Sequence, residues 1–263
     1  MHISILLIVE RKWDSKMKRL GALLRQEITL SLRNYISTFF AVLFPVIMLI
    51  LFGSIYGNEG QEIFNGYGSM DITVPSYFGV SLGVLGLMTL PMTLAEYREK
   101  KVLKRFKATP VSPFSLLSAN LIANVIIYVF SLALLVMVGK IAYNIKFEGK
   151  VYAVIFAVAL SVLAIFTLGL FIASIAKSAK SANAIGNLVY FPMLFLSGAS
   201  LPYEKLPESV QKFAKIFPLT YSVKLIKGVW FGNKILDYKL EIGVLIGVTL
   251  VCLILSIKLF KYE

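Results

Sequence analysis

The sequence is poor in the residues on which most enzyme chemistry depends. Among 263 residues there is one cysteine, Cys252, and one histidine, His2. A single cysteine excludes a disulfide within the chain. It lies in an apolar run near the C-terminus and reads as a packing or lipid-facing residue. With no Cys/His cluster, neither a zinc nor a haem site is expected. The pattern G-x-x-x-x-G-K-[ST] is missing. Gly139-Lys140 and Gly149-Lys150 both lack its preceding glycine, so the chain has no evident way to hold a nucleotide phosphate. No catalytic residues, bound cofactor or metal ligands are assigned, and an enzyme is not expected. Charge is scarce as well, at 16% of residues, where a soluble domain carries about a quarter.

What fills the chain instead is apolar: 58% of residues are hydrophobic and the mean hydropathy is +0.79. So few charges cannot coat a soluble globule of this size, and a bilayer is the solvent such a chain needs. Charge-free runs extend from Asn34 to Asn58, Ile72 to Ala95, Ala108 to Gly139 (its span beginning near Phe114, after two prolines), Val151 to Ala176, Ser181 to Tyr203 and Ile242 to Ile257. About 20 apolar residues cross the hydrocarbon core as a helix, and helices satisfy every backbone group there. The fold class expected is therefore all-α and polytopic, with six spans at about 36–57, 73–95, 115–139, 151–176, 181–199 and 241–260. The last run is short, and Glu241 and Lys258 are expected to snorkel at its ends. Pro45, Pro91 and Pro192 should kink or end their helices.

Six spans put both termini on one side. The 27 basic residues divide as 17 on that side and ten on the other, which places the termini in the cytoplasm by the positive-inside rule. The segment REKKVLKRFKATPVSP, from Arg98 to Pro113, then forms a cytoplasmic loop with six basic residues in its first ten. It can meet anionic headgroups or a soluble partner. Nucleic acid is not expected, because Phe106 alone supplies no stacking platform beside that charge.

Flanking segments carry their own periodicity. In residues 16–35, Leu20, Leu23, Leu24, Ile28 and Leu32 recur at spacings of three and four, as in a helix lying in the interface. Residues 1–16 fit neither this helix nor a signal peptide. They are set apart as an extension, with Met17 the expected start and 17–263 one transmembrane domain. A native N-terminal peptide containing Trp13 would refute that. Between the fifth and sixth runs, LPESVQKFAKIFP and LTYSVKLIKGVWFG read as two short amphipathic helices in or dipping into the outer leaflet. Pro207 and Glu208 start the first, with Leu206, Val210, Phe213 and Phe217 on one face. Val223, Ile226 and Trp230 line the second, and Gly232 stops it.

No Asp, Glu, Lys, Arg or His lies inside a charge-free run, whereas ion-driven carriers place such groups there. The energy source is thus expected outside the membrane. Gly79 and Gly83, with the pairs Asn120/Asn124 and Asn183/Asn187, suit helix packing. Alternatively, Asn183, Asn187 and Tyr190 line a translocation path.

Two segments resemble the membrane subunit of type-2 ABC exporters. Glu96, Arg98, Glu99 and Arg105, followed by Thr-Pro-Val-Ser at 109–112, are similar to that family's coupling helix. Lys101, Val102, Leu103 and Lys104 stand where the family often has Gly-Thr-Leu-Glu. Leu201-Pro202 followed by Pro218-Leu219-Thr220-Tyr221 is similar to its signature before the last span. The resemblance implies a re-entrant outer region, pairing with a second permease copy or a paralogue, and two cytoplasmic ABC ATPase subunits that hold ATP and Mg. It also implies export across the plasma membrane of a prokaryotic cell. Glu96, Arg98, Glu99, Lys101, Val102, Leu103, Arg105, Phe106, Thr109 and Pro110 would carry ATPase coupling. The signature residues would form an outer gate. The rival expectation is an autonomous channel or ion-coupled carrier.

Overall fold

A computed structural model describes residues 21–64, 66–102, 113–200, 203 and 206–259. The described residues form helices and turns, with one isolated β-bridge between Gly60 and Gly68. Helix α1 covers residues 21–33. Five long helices follow or interleave: α2 (Tyr35–Tyr56), α3 (Ser69–Glu99), α4 (Pro113–Tyr143), α5 (Val151–Ile175) and α6 (Ala179–Leu196). Two short helices, α7 (Glu208–Ala214) and α8 (Pro218–Trp230), precede the last, α9 (Lys239–Leu259). Five of the described helices are long and apolar enough to cross a membrane: α2, α3, α4, α5 and the stretch ending in α9. Helix α6 stands where the fifth span is expected. It carries Lys180, Ser181, Asn183 and Asn187 in its first half, which lowers its apolarity, and it ends at Leu196.

The bundle is organised around α3. Its apolar window is 83% buried, against 17% for the stretch ending in α9. Helices α2 and α4 pack on one flank of α3, and α5, α6 and α8 on the other. Helix α9 covers α5 and α8. Small residues permit this crowding. A Cβ on Gly79 would meet Val223 of α8, and one on Gly83 would meet the Tyr190 ring of α6. The expected packing role of Gly79 and Gly83 is therefore realised across two different neighbours.

Prolines shape α2 and α3 in a specific way. Pro45 and Pro91 each follow a wide turn, Phe39–Leu43 and Val84–Thr89, in which an N–H reaches five residues back. Phe44 donates to Phe39 O and Leu90 to Leu85 O. A proline lacks the N–H and its ring crowds the carbonyl four residues earlier, so a π-turn takes up the mismatch without ending the helix. The carbonyl that Pro45 leaves unpaired is that of Ala41, and Ser131 Oγ on α4 donates to it at 2.8 Å. Near Pro91 the carbonyls of Gly86 and Leu87 face glycines of neighbouring helices, Gly169 and Gly186, where a Cβ would lie 1.9 and 2.3 Å away. Pro192 sits inside α6, as expected, and Pro75 inside α3 adds a further interruption.

Residues 21–33 of the amphipathic N-terminal segment are helical, and its apolar positions divide between the bundle and the outside. Leu23 is buried against Leu116 and Ala119 of α4, while Leu32 is exposed. The residue one turn beyond Leu23 on the buried stripe is Glu27, which is 1% exposed. Asn34 separates this helix from the first span, its side chain accepting from Ser37 N at 3.4 Å. Cys252 is buried, in keeping with a packing role.

Candidate functional site

The residues of interest gather at the two ends of the bundle. At one end α3 stops: Lys100 N donates to Glu96 O, and Lys101 adopts φ 56°, a left-handed conformation that turns the chain. Glu96 forms an ion pair with Lys100 on the exposed surface. That carboxylate raises the Lys100 pKa above its ordinary value.

Arg98 and Glu99 take opposite roles one residue apart. The Arg98 guanidinium donates to the carbonyl of Ala176, the residue that caps α5 at its C-terminus. The Glu99 carboxylate accepts from Ala179 N at 2.9 Å, the first residue of α6. A cation thus meets a helix C-terminus and an anion a helix N-terminus, each matched to the dipole. Ser178 completes the α6 cap, its Oγ accepting from Ser181 N at 3.2 Å. The end of α3 is latched to the turn between α5 and α6. Of the sequence-derived coupling residues, Glu96, Arg98, Glu99, Lys101 and Val102 are described, and Leu103, Arg105, Phe106, Thr109 and Pro110 lie outside the described residues.

Beside the latch is a carboxylate that sequence reasoning missed. Glu27 of α1 accepts from the Tyr97 hydroxyl of α3 at 2.7 and 2.8 Å and from Asn120 Nδ2 of α4 at 2.7 Å. Asn120 also joins Asn124, whose Nδ2 donates to its backbone carbonyl at 2.9 Å. Three helices meet on one buried anion. A cavity of about 260 Å³ adjoins it, lined by Glu27, Thr93, Glu96, Tyr97, Lys100 and Asn120 among others.

At the opposite end Asp71, 1% exposed, is the third residue of α3. It accepts from Gly68 N, Lys146 N and Asn58 Nδ2, each at 2.9 Å. Asn58 in turn donates to Tyr143 O and accepts from Met70 N. The loops on either side of α3 and after α4 are thereby stitched together. Nearby, Tyr67 donates to Glu148 at 2.7 Å, and that hydrogen bond raises the phenol pKa.

The Pro-Leu-Thr-Tyr motif has a clear local function. Pro218 opens α8, where its missing N–H costs nothing. Thr220 Oγ1 donates to Ala214 O at 2.7 Å and the Tyr221 hydroxyl to Lys215 O at 2.8 Å. Both occupy carbonyls that end α7, which folds α7 against α8. Leu219 is fully buried, and the expected apolar stripe of Val223, Ile226 and Trp230 is buried within the bundle. Helix α8 therefore packs into the bundle against α3, α5 and α9. On α7, Phe213 of the expected apolar face is 53% exposed from the bundle and pairs edge-on with Phe217, while Ala214 is the buried residue. Small size lets Ala214 approach where Phe213 cannot. Gly232 ends the segment at φ 85°. Leu201 and Pro202 lie outside the described residues.

The three path candidates do not share one environment. Asn187 Nδ2 donates to Asn183 Oδ1 at 3.3 Å, and Asn183 is exposed. Tyr190 is buried, with its hydroxyl 3.5 Å from Val80 O and its ring over Gly83.

Comparison with known proteins agrees with this architecture. Residues 18–231 match the family described as ABC-2 type transporter. The "Inner membrane transport permease YhhJ" of Escherichia coli (strain K12) is 28% identical over 165 residues, 60% of this chain and 44% of that protein. "Nodulation protein J" of Rhizobium leguminosarum bv. viciae is 36% identical over 104 residues, 40% of each chain. The "Probable multidrug ABC transporter permease YbhR" of Escherichia coli (strain K12) is 24% identical over 165 residues, 62% of this chain and 45% of that protein. In each case the match spans less than half the relative's length. With the family matched from residue 18 to residue 231, over a bundle of apolar helices, the chain is a membrane protein that belongs to the ABC-2 type transporter family.

Proposed function

We propose that the chain is the permease subunit of an ATP-driven exporter. It crosses the plasma membrane of a prokaryotic cell six times, with α6 as the fifth span and both termini cytoplasmic. It pairs with a second permease copy or a paralogue. Two ABC ATPase subunits dock on the basic segment that begins at Arg98, and they hold the ATP and Mg.

The observation that carries this reading is the latch at the end of α3. Arg98 and Glu99 fasten the start of the basic segment to both helix ends of the α5–α6 turn. A push delivered there reaches three long helices at once rather than a loose loop. Charge within this segment is thereby divided by task. Arg98 and Glu99 hold the permease together and Val102 packs beside Leu23 and Leu116, leaving Lys101, Leu103, Arg105 and Phe106 to meet the ATPase.

The test is a pull-down of a tagged copy from its native membranes in mild detergent, with ATPase activity assayed on the eluate. A nucleotide-binding subunit should co-purify, and reversal of Lys101 and Arg105 to Glu should release it. Arg98→Ala should leave it bound while transport falls. An intact, oligomeric eluate without ATPase activity would turn the reading toward an autonomous channel or carrier.

A further inference from the structure

Helices α4 and α5 are joined by residues 144–150, yet they splay apart rather than pack. A cavity of about 1210 Å³ opens between them. Phe78 and Trp230 form its floor, and Val129, Ala133, Val158 and Ala159 stand on its walls. Its lining is apolar apart from the Tyr128 hydroxyl, the Trp230 indole N–H and Lys140; the hydroxyl is already committed to Phe78 O and the indole N–H to Lys146 O, each at 3.1 Å. A bound water needs two to four polar partners, so the apolar walls of this cleft suit a hydrocarbon chain better than ordered water. From Val151 to Leu163 the α5 wall rises about 18 Å at 1.5 Å per residue. One leaflet of a roughly 30 Å hydrocarbon core is about as deep.

The mouth of the cleft is basic. Lys140 sits at the rim with its Nζ 2.9 Å from Asn144 Oδ1, and Lys146 and Lys150 are exposed on the loop just beyond. The one acid of that loop, Glu148, already accepts from Tyr67. We propose that the cleft is a binding site for one anionic phospholipid, with an acyl chain between α4 and α5 and the phosphate against Lys140. The site lies at the end of the bundle opposite Arg98. Assigning it to the outer leaflet rests on the orientation proposed above; the binding itself does not.

The experiment uses the full chain, purified without any ATPase and exposed to vesicles of phosphatidylglycerol or phosphatidylcholine, with retained lipid counted by native mass spectrometry. The wild type should prefer phosphatidylglycerol by roughly fivefold, the contribution of one lysine at a membrane surface. Lys140→Gln should abolish that preference and Lys140→Arg restore it. Ala159→Trp, which fills the cleft, should cut retention of both lipids by about tenfold or more, since each buried methylene of the chain contributes to holding it. Unchanged preference in Lys140→Gln, which alters an exposed side chain and should fold normally, would overturn the proposal. So would a disulfide between two copies formed through Val129→Cys in a Cys252→Ser background, because a second permease would then cover the cleft.

Discussion

Among the described residues each end of the bundle buries one carboxylate, Asp71 and Glu27, and the two are held differently. Asp71 is fixed by two backbone N–H groups and by Asn58, all on loops that cap α3 and follow α4. Among the described residues Glu27 is held by side chains alone, Tyr97 and Asn120, drawn from two other helices. Backbone donors cannot turn away without moving the chain, whereas a hydroxyl rotates and an amide flips. The Asp71 end is therefore a rigid clasp. The Glu27 end is a joint whose parts can shift against one another beside a small cavity, which suits the end where motion is expected to arrive.

Neutral isosteres sharpen this contrast most. Asp71→Asn keeps one oxygen for Lys146 N and Asn58 but turns an amide donor toward Gly68 N, leaving that buried N–H unpaired at a cost of about 1–3 kcal/mol. The variant should lose that much, read as a lower Tm in detergent. Glu27→Gln keeps an acceptor for Tyr97 and lets Asn120 re-orient, so its loss should stay below about 1 kcal/mol. Equal falls in Tm for the two variants would break the comparison.

Between the two ends lies a waist where backbones touch. Gly169→Ala would push a Cβ to 1.9 Å from Gly86 O, so α3 and α5 must part. Overpacking of this kind costs about 1–3 kcal/mol. At Gly243, on the periphery in α9, nothing lies within 4 Å of the same Cβ. Alanine there should stabilise by up to about 1 kcal/mol through helix propensity. If Gly169→Ala melts like wild type, the waist is looser than the ends and the rigid transmission argued above fails.

How much of this could be read from the sequence follows from range. The apolar runs announced the long helices because a bilayer demands local, continuous hydrophobicity, and Pro45 and Pro91 announced irregularity. Their π-turns were not legible, since the carbonyl partner Ser131 lies on another helix. The Pro-Leu-Thr-Tyr motif was recognisable, and its hydroxyl bonds to α7 supply the reason for its Thr and Tyr. Glu27 was hidden: one acid on an arginine-bearing helix reads as a polar face, and its partners are 70 and 93 residues away. Arg98 and Glu99 looked like neighbours in a charged loop. Their opposite duties depend on the ends of α5 and α6, which no local pattern reveals.

The latch tests the joint from its other side. Arg98→Ala removes a charge-assisted bond at a helix C-terminus, a contribution of about 1 kcal/mol. A Tm loss of that size, with larger loss of transport than of stability, would show that the joint matters more for motion than for folding. Loss of transport only in proportion to folded protein would make it an ordinary structural contact.

The smallest effect is a pH response that the two ends share. Tyr67, near the Asp71 clasp, and Lys100, beside the Glu27 joint, both have folded-state pKa values raised by a carboxylate partner, Glu148 and Glu96. Each contribution is therefore complete below the ordinary value of the group, 10.0 for the phenol and 10.5 for the ammonium, and fades as pH climbs through the raised value. From neutrality up to that range neither pair should make Tm depend on pH. Tyr67→Phe should melt slightly below wild type at neutral pH, and the gap should close in alkali as the wild type loses its bond. Lys100→Ala, which removes an exposed lysine from a surface pair, should show no gap that melting can resolve. A Tyr67→Phe gap that widens with rising pH would reverse the sign and remove Glu148 as the partner that holds the phenol proton.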